Sequence, residues 1–205
     1  KAGIIQAWGN LDDIHENGRM IIDCLMNLSL LYFASEMTGD DRYRIAATRH
    51  AKQTQKYIVR DNFTTYHTYF FDRQTGEAVR GETAQGFAHD SCWARGQAWG
   101  IYGFTLSYLH TGDYSFLETA EKIADYFLSR LPEDEVVYWD LVFGDGSDQE
   151  RDSSAAAIAA CGLLELAKQL PLSHPKRKYY EEKAVAIVQS LSSLYTTKES
   201  PNANG

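Results

Sequence analysis

The 205-residue chain is 44% apolar and 13% aromatic, enough to bury one sizeable core and too rich in aromatics for a disordered chain. Its 20 basic and 28 acidic residues leave a net charge of −8, a poor match to nucleic acid, whose binding rests on many Lys and Arg contacts to phosphate. No apolar run is long enough to span a bilayer and no secretory leader opens the chain, so it reads as soluble, with no membrane partner.

The segment 1–19 reads as a loop in mid-course. Leu25, Leu28, Leu31 and Tyr32 then begin an apolar helix that ends near Thr38-Gly39-Asp40, and a second helix follows with Tyr43, Ala47 and Ala51 on one face. A long connection, 60–92, contains a hairpin-like stretch from Thr65 to Arg80 that turns at Thr75-Gly76. The helical pattern recurs from Trp99 to Leu109, stops at Thr111-Gly112-Asp113, and resumes with Phe116, Ala120 and Ala124. After a second long connection, 133–152, a third copy runs from Ala155 to Leu170, turns through Pro171 to Pro175, and continues with Tyr180, Ala184 and Val188. Each Thr-Gly-Asp is expected to combine a glycine helix stop with an aspartate cap for the next helix. The tail from Ser200 carries no packing signal and is expected to fray or to continue into something further.

These elements predict an all-α chain of about three helical hairpins, near 24–59, 92–131 and 153–195. An open row of three leaves two uncovered ends, which a closed ring of hairpins avoids. Loops as long as the two connections tend to be functional in compact domains. The chain is therefore expected to be part of a larger toroid, with 1–205 forming one partial barrel.

A polar cluster opens each inner helix: Asp23, then His89-Asp90-Ser91, then Arg151-Asp152-Ser153-Ser154. Such residues are ordinarily N-caps. In a ring, however, the inner helices run parallel, so their N-termini and free N–H groups share one rim suited to an anion. The most informative stretch is Ser91-Cys-Trp-Ala-Arg-Gly-Gln-Ala-Trp99. Trp93 and Arg95 fall in the first turn facing the rim, with Gln97 and Trp99 one turn deeper. An arginine fork suits a carboxylate and indole faces suit sugar rings, although a packed aromatic core with one snorkelling arginine has the same composition. Cys24, Cys92 and Cys161 are far apart and odd in number, and are expected to be buried reduced thiols.

The block Trp93-Ala-Arg-Gly-Gln-Ala-Trp99, preceded by His89-Asp-Ser and followed by Gly100-Ile-Tyr-Gly-Phe, resembles the unsaturated glucuronyl hydrolases of glycoside hydrolase family 88. Met20-Ile-Ile-Asp-Cys-Leu-Met-Asn27 and Arg151-Asp-Ser-Ser-Ala-Ala-Ala157 carry the resemblance over most of the chain. Family 105, the unsaturated rhamnogalacturonyl hydrolases, tends to have Gly-Asn-Gly where this chain has Gly96-Gln97-Ala98, which favours family 88. The resemblance implies an (α/α)6 barrel and hydration of the C4=C5 double bond in the terminal uronic acid of lyase-generated glycosaminoglycan disaccharides. It implies no metal and no cofactor, a small unsaturated oligosaccharide as the partner, and a bacterial-type cytoplasmic or periplasmic setting. Family 105-like chemistry and a non-catalytic carbohydrate-binding helical array are the alternatives; oligomeric state is not readable.

By the same resemblance, Asp23 matches the catalytic acid/base and Arg95 the contact to the uronate carboxylate or its surroundings. Trp93 and Trp99 match stacking walls, and Gln85 and His67 match polar residues lining the pocket. His67 has a blander reading as a loop histidine bonded to backbone, and His89, Asp90 and Asp152 read as structural. The family's second aspartate, upstream of the one matching Asp23, has no match here, and Asp12 and Asp13 lack its context. The family barrel is also close to twice this length, so the chain matches a middle portion of it.

Overall fold

The computed structural model describes residues 1–10, 12, 13 and 18–198, so the expected fraying from Ser200 lies outside the described residues. In chain order the elements are β1 (Gly18–Ile21), α1 (Cys24–Thr38), α2 (Asp41–Tyr57), β2 (Thr68–Phe71), β3 (Ala78–Glu82), α3 (Ala94–Thr111), α4 (Tyr114–Ser129), α5 (Ser153–Gln169) and α6 (Arg177–Leu194). The helices form three hairpins, α1–α2, α3–α4 and α5–α6, and α3 packs against α1 on one side and α5 on the other.

The first two hairpins turn by the same local chemistry. Gly39 (φ 71°) and Gly112 (φ 69°) end α1 and α3 in the left-handed region, each donating its N–H to the carbonyl four residues back. Asp40 and Asp113 then accept the Arg42 and Ser115 N–H groups at 3.0 Å and cap α2 and α4. The threonines contribute as well: Thr38 and Thr111 Oγ1 accept the aspartate N–H at 3.2 Å and donate back into the preceding helix.

The innermost helix, α3, is buried nearly all round, because it has hairpins on both flanks and α4 behind it. Small residues permit this crowding. A Cβ on Gly103 would lie 2.4 Å from Leu25 Cβ, so α1 crosses α3 there at a distance only glycine allows. Gln97, expected one turn deeper beside Trp99, turns into the core instead. It is fully buried among α3, α4 and the loop before β2, donating to the Phe63 and Ile123 carbonyls and accepting from Thr65 Oγ1 at 3.1 Å. Those partners satisfy an amide that would otherwise destabilise the core.

Three further expectations are corrected. The sequence suggested one hairpin-like stretch between helices; a three-stranded antiparallel sheet in the order β1-β2-β3 forms instead. β2 and β3 meet within the anticipated Thr65–Arg80 region, and Gly76 (φ 84°) donates its N–H to the Asp72 carbonyl in the turn. The extra strand is β1, which takes in Gly18 and Arg19 from the expected loop; it pairs Met20 with Tyr69 and Ile21 with Thr68. Cys24 and Cys92 are buried, but Cys161, on α5, is exposed. On α2 the buried line is Ala47, His50, Ala51 and Thr54, with Tyr43 38% exposed, and on α6 Ile187 rather than Val188 faces inward. Among the described residues no helix is long and apolar enough to cross a membrane.

Candidate functional site

The N-termini of α1, α3 and α5 converge. Asp23 precedes α1, Trp93 is the N-cap residue of α3, and Asp152 that of α5. Arg95, in the first turn of α3, joins the other two: its Nε and Nη2 donate to Asp152 Oδ2 at 3.2 and 3.0 Å, and its charge also acts on Asp23. Asp152 Oδ1 meanwhile accepts the Ala155 N–H at 2.8 Å, so this carboxylate both caps α5 and holds the arginine, in keeping with its structural reading. Arg95 Nη1 has no protein partner among the described residues.

Asp23 does not cap α1. Its backbone is helical (φ −56°, ψ −29°) and its side chain makes no capping hydrogen bond. The carboxyl faces His67 instead, with Oδ2 3.8 Å from Nε2. Burial raises the Asp23 pKa above the ordinary carboxylate range, partly offset by His67, its own backbone N–H, Arg95 and the Trp99 indole. No second carboxylate is needed for that rise.

His67 is buried and fixed from behind. Its Nδ1 accepts the Ala84 N–H at 3.0 Å, so the neutral ring carries its proton on Nε2, towards Asp23. Burial lowers its pKa, against a smaller upward pull from Asp23. One ring nitrogen is thus bonded to backbone and the other faces the Asp23 carboxyl. Its ring sits 4.6 Å from that of Trp93, tilted by 50°. Trp93 is 5% exposed and also lies 5.5 Å from the Arg95 guanidinium carbon. Trp99, one helical turn beyond Arg95, is half-buried.

Two polar atoms here lack a hydrogen-bond partner among the described residues although both are buried: Asp23 Oδ2 and Trp99 Nε1. The indole nonetheless lies near enough to Asp23 to lower its pKa, so this donor and this acceptor sit close together at the helix starts. Gln85 is less engaged. It is exposed on the strap 83–91, next to the Ala84 amide that His67 accepts, and its side chain forms no hydrogen bond among the described residues. His89 accepts the Thr83 N–H through Nδ1, a local structural role.

One residue of the site region escaped the sequence reading. Asp140, in the 133–152 connection, is fully buried and pairs across an isolated bridge with Trp93. Only its place inside a long functional-looking loop hinted at it; an Asp in Tyr138-Trp-Asp-Leu141 looks like any turn aspartate.

The family model "Glycosyl Hydrolase Family 88" matches residues 5–190. An unsaturated chondroitin disaccharide hydrolase from Streptococcus pyogenes is 49% identical over 199 residues, covering 97% of this chain and 50% of that protein. The crystal structure of an unsaturated glucuronyl hydrolase from Bacillus sp. GL1 superposes with a TM-score of 0.89 at 50% identity, over 93% of this chain and 50% of that one. A variant of the Streptococcus agalactiae unsaturated glucuronyl hydrolase, solved with dGlcA-GalNAc6S, superposes at 0.78 with 47% identity, over 85% of this chain and 46% of that one. The chain thus spans about half the length of the relatives it matches, and its three hairpins form part of an (α/α)6 barrel. By its own motifs, its fold and these similarities, the chain belongs to glycosyl hydrolase family 88.

Proposed function

We propose that the protein hydrates the C4=C5 double bond of the unsaturated uronic acid at the non-reducing end of lyase-generated glycosaminoglycan disaccharides, within one catalytic unit built on the hairpins near 24–59, 92–131 and 153–195. The observation that carries this reading is Asp23, an aspartate at a helix start that caps nothing, has a raised pKa, and faces a neutral histidine N–H.

Protonated Asp23 delivers its proton to C4, and the positive charge that develops at C5 is shared with the ring oxygen. The carboxylate so formed takes a proton from the water whose oxygen adds to C5. One group therefore serves as acid and then as base, regenerating itself. The hemiketal at C5 opens the ring, and the hemiacetal left at C1 expels the second sugar. The anomeric carbon is never attacked, so the carboxylate spacing that separates retaining from inverting glycosidases does not apply. His67 Nε2–H turns towards Asp23 while the carboxylate is charged and stabilises it. Arg95, held on one edge by Asp152, offers Nη1 to the uronate carboxylate, Trp93 and Trp99 wall the sugar ring, and Gln85 reaches in from the strap.

Incubation with an unsaturated chondroitin disaccharide is expected to bleach the ultraviolet absorbance of its conjugated alkene, and to do so faster than with a pectin-derived unsaturated disaccharide. Calorimetric binding of the first sugar with no loss of that absorbance would instead identify a carbohydrate-binding array.

A further inference from the structure

We propose that Asp140 is a positioning residue that fixes the strap over the site and, through it, the ring tautomer of His67. This rests on the reading of Asp23 and His67 given above.

Asp140 is fully buried, a costly place for a carboxylate unless its oxygens are matched. They are, by four donors. Oδ2 accepts the Phe87 N–H at 2.9 Å and the Ser91 Oγ–H at 2.6 Å. Oδ1 accepts the Cys92 N–H at 3.2 Å and the Val142 N–H at 3.1 Å. Phe87 and Ser91 belong to the strap, Cys92 leads directly into Trp93, and Val142 belongs to the loop that carries Asp140 itself. One carboxylate thus joins three segments that share no regular secondary structure. Backbone bonds on either side, Ala94 N–H to the Trp139 carbonyl at 3.1 Å and Leu141 N–H to the Cys92 carbonyl at 2.8 Å, hold that loop against the start of α3.

The strap lies directly on this anchor. A Cβ on Gly86 would come 3.1 Å from Asp140 Oδ2 and 3.2 Å from Trp93 Cβ, so the strap backbone passes over both with no room to spare. Two residues earlier, the same strap presents the Ala84 N–H that His67 Nδ1 accepts. That single bond decides which ring nitrogen is protonated, and hence whether a donor or an acceptor faces Asp23. Asp140 acts on it without touching His67.

Asparagine at this position keeps the shape but turns an NH2 group towards two of the four donors. In Asp140→Asn, kcat is expected to fall at least tenfold. Nitrogen-15 NMR of histidine-labelled protein, with the His67 signals assigned from a His67→Gln control, is expected to show loss of the pure Nε2–H tautomer. Ser91→Ala, which removes one donor and leaves the carboxylate, is the milder test should Asp140→Asn not fold. It is expected to lower kcat severalfold and to mix the tautomers partially. A His67 that remains wholly Nε2–H in a folded Asp140→Asn, or in Ser91→Ala if the first variant is unfolded, overturns the proposal. The tautomer is read without substrate, so an inactive wild-type protein would sink the functional reading and leave this one to be judged on the spectrum.

Discussion

Asp23 and Asp152 occupy equivalent places, each at the start of an inner helix, and they do opposite things. Asp152 has an extended backbone (φ −107°, ψ 90°) and its carboxylate caps α5 while gripping Arg95. Asp23 is already helical at the same point, and its carboxyl caps nothing. Capping requires a non-helical backbone that turns the side chain back onto the first free N–H groups. The outer-helix caps Asp40 and Asp113 obey the same rule, with ψ of 104° and 103°. The residue that departs from the rule is the one whose carboxyl is left available for chemistry.

The sharpest way to break this contrast is to neutralise both aspartates in turn. Asp23→Asn is expected to reduce kcat by about 10²- to 10⁴-fold, the usual contribution of a general acid, with no loss of thermal stability. Asp152→Ala is expected to do the reverse. Losing the cap costs about 1 kcal/mol, a fall in Tm of roughly 2–4 °C, and the released Arg95 raises KM while kcat changes less. Steady-state kinetics beside calorimetric melts separate the two patterns; an Asp23→Asn protein with wild-type kcat would end the assignment.

The pH dependence sharpens it further. An acid whose pKa is raised on folding binds its proton more tightly in the native state, so the stability it lends is present at low pH. That stability is lost as pH rises from 3.8 through the raised value. Melts of wild type and Asp23→Asn across that window are expected to diverge, with the variant gaining relative to wild type as pH increases. Turnover should also decline on the alkaline side, as Asp23 loses the proton it must deliver. The smallest effect belongs to an outer cap. Asp113→Ala, losing a half-exposed cap and the Lys52 ion pair, is expected to lower stability by about 0.5–1 kcal/mol with kcat and KM unchanged.

The hairpins were legible because their cues are local. Thr-Gly-Asp states a stop and a cap within three residues, and apolar spacing places Leu25, Phe116 and Ala155 on inward faces. What stayed hidden depends on contacts distant in sequence. β1 has only four residues, too few to show a period, and exists because β2 lies beside it. Whether Asp23 caps α1 depends on the backbone angle at which the chain leaves that strand. Asp140 draws three of its four donors from residues about 50 positions away, a separation no spacing rule reaches. Gln97 looked like a companion of Trp99 and turned inward, where its amide donates to the carbonyls of Phe63 and Ile123.

The β1–β2 ladder has a mechanical consequence. It continues past the strands through the Ile22 N–H bond to the His67 carbonyl at 3.1 Å, so the residues just before Asp23 and the residue that faces it ride on one hydrogen-bonded ribbon. Breathing of the α1–α2 hairpin against α3 carries both groups together and leaves their separation nearly constant. In hydrogen exchange the Ile22 amide should be among the slowest in the first hundred residues.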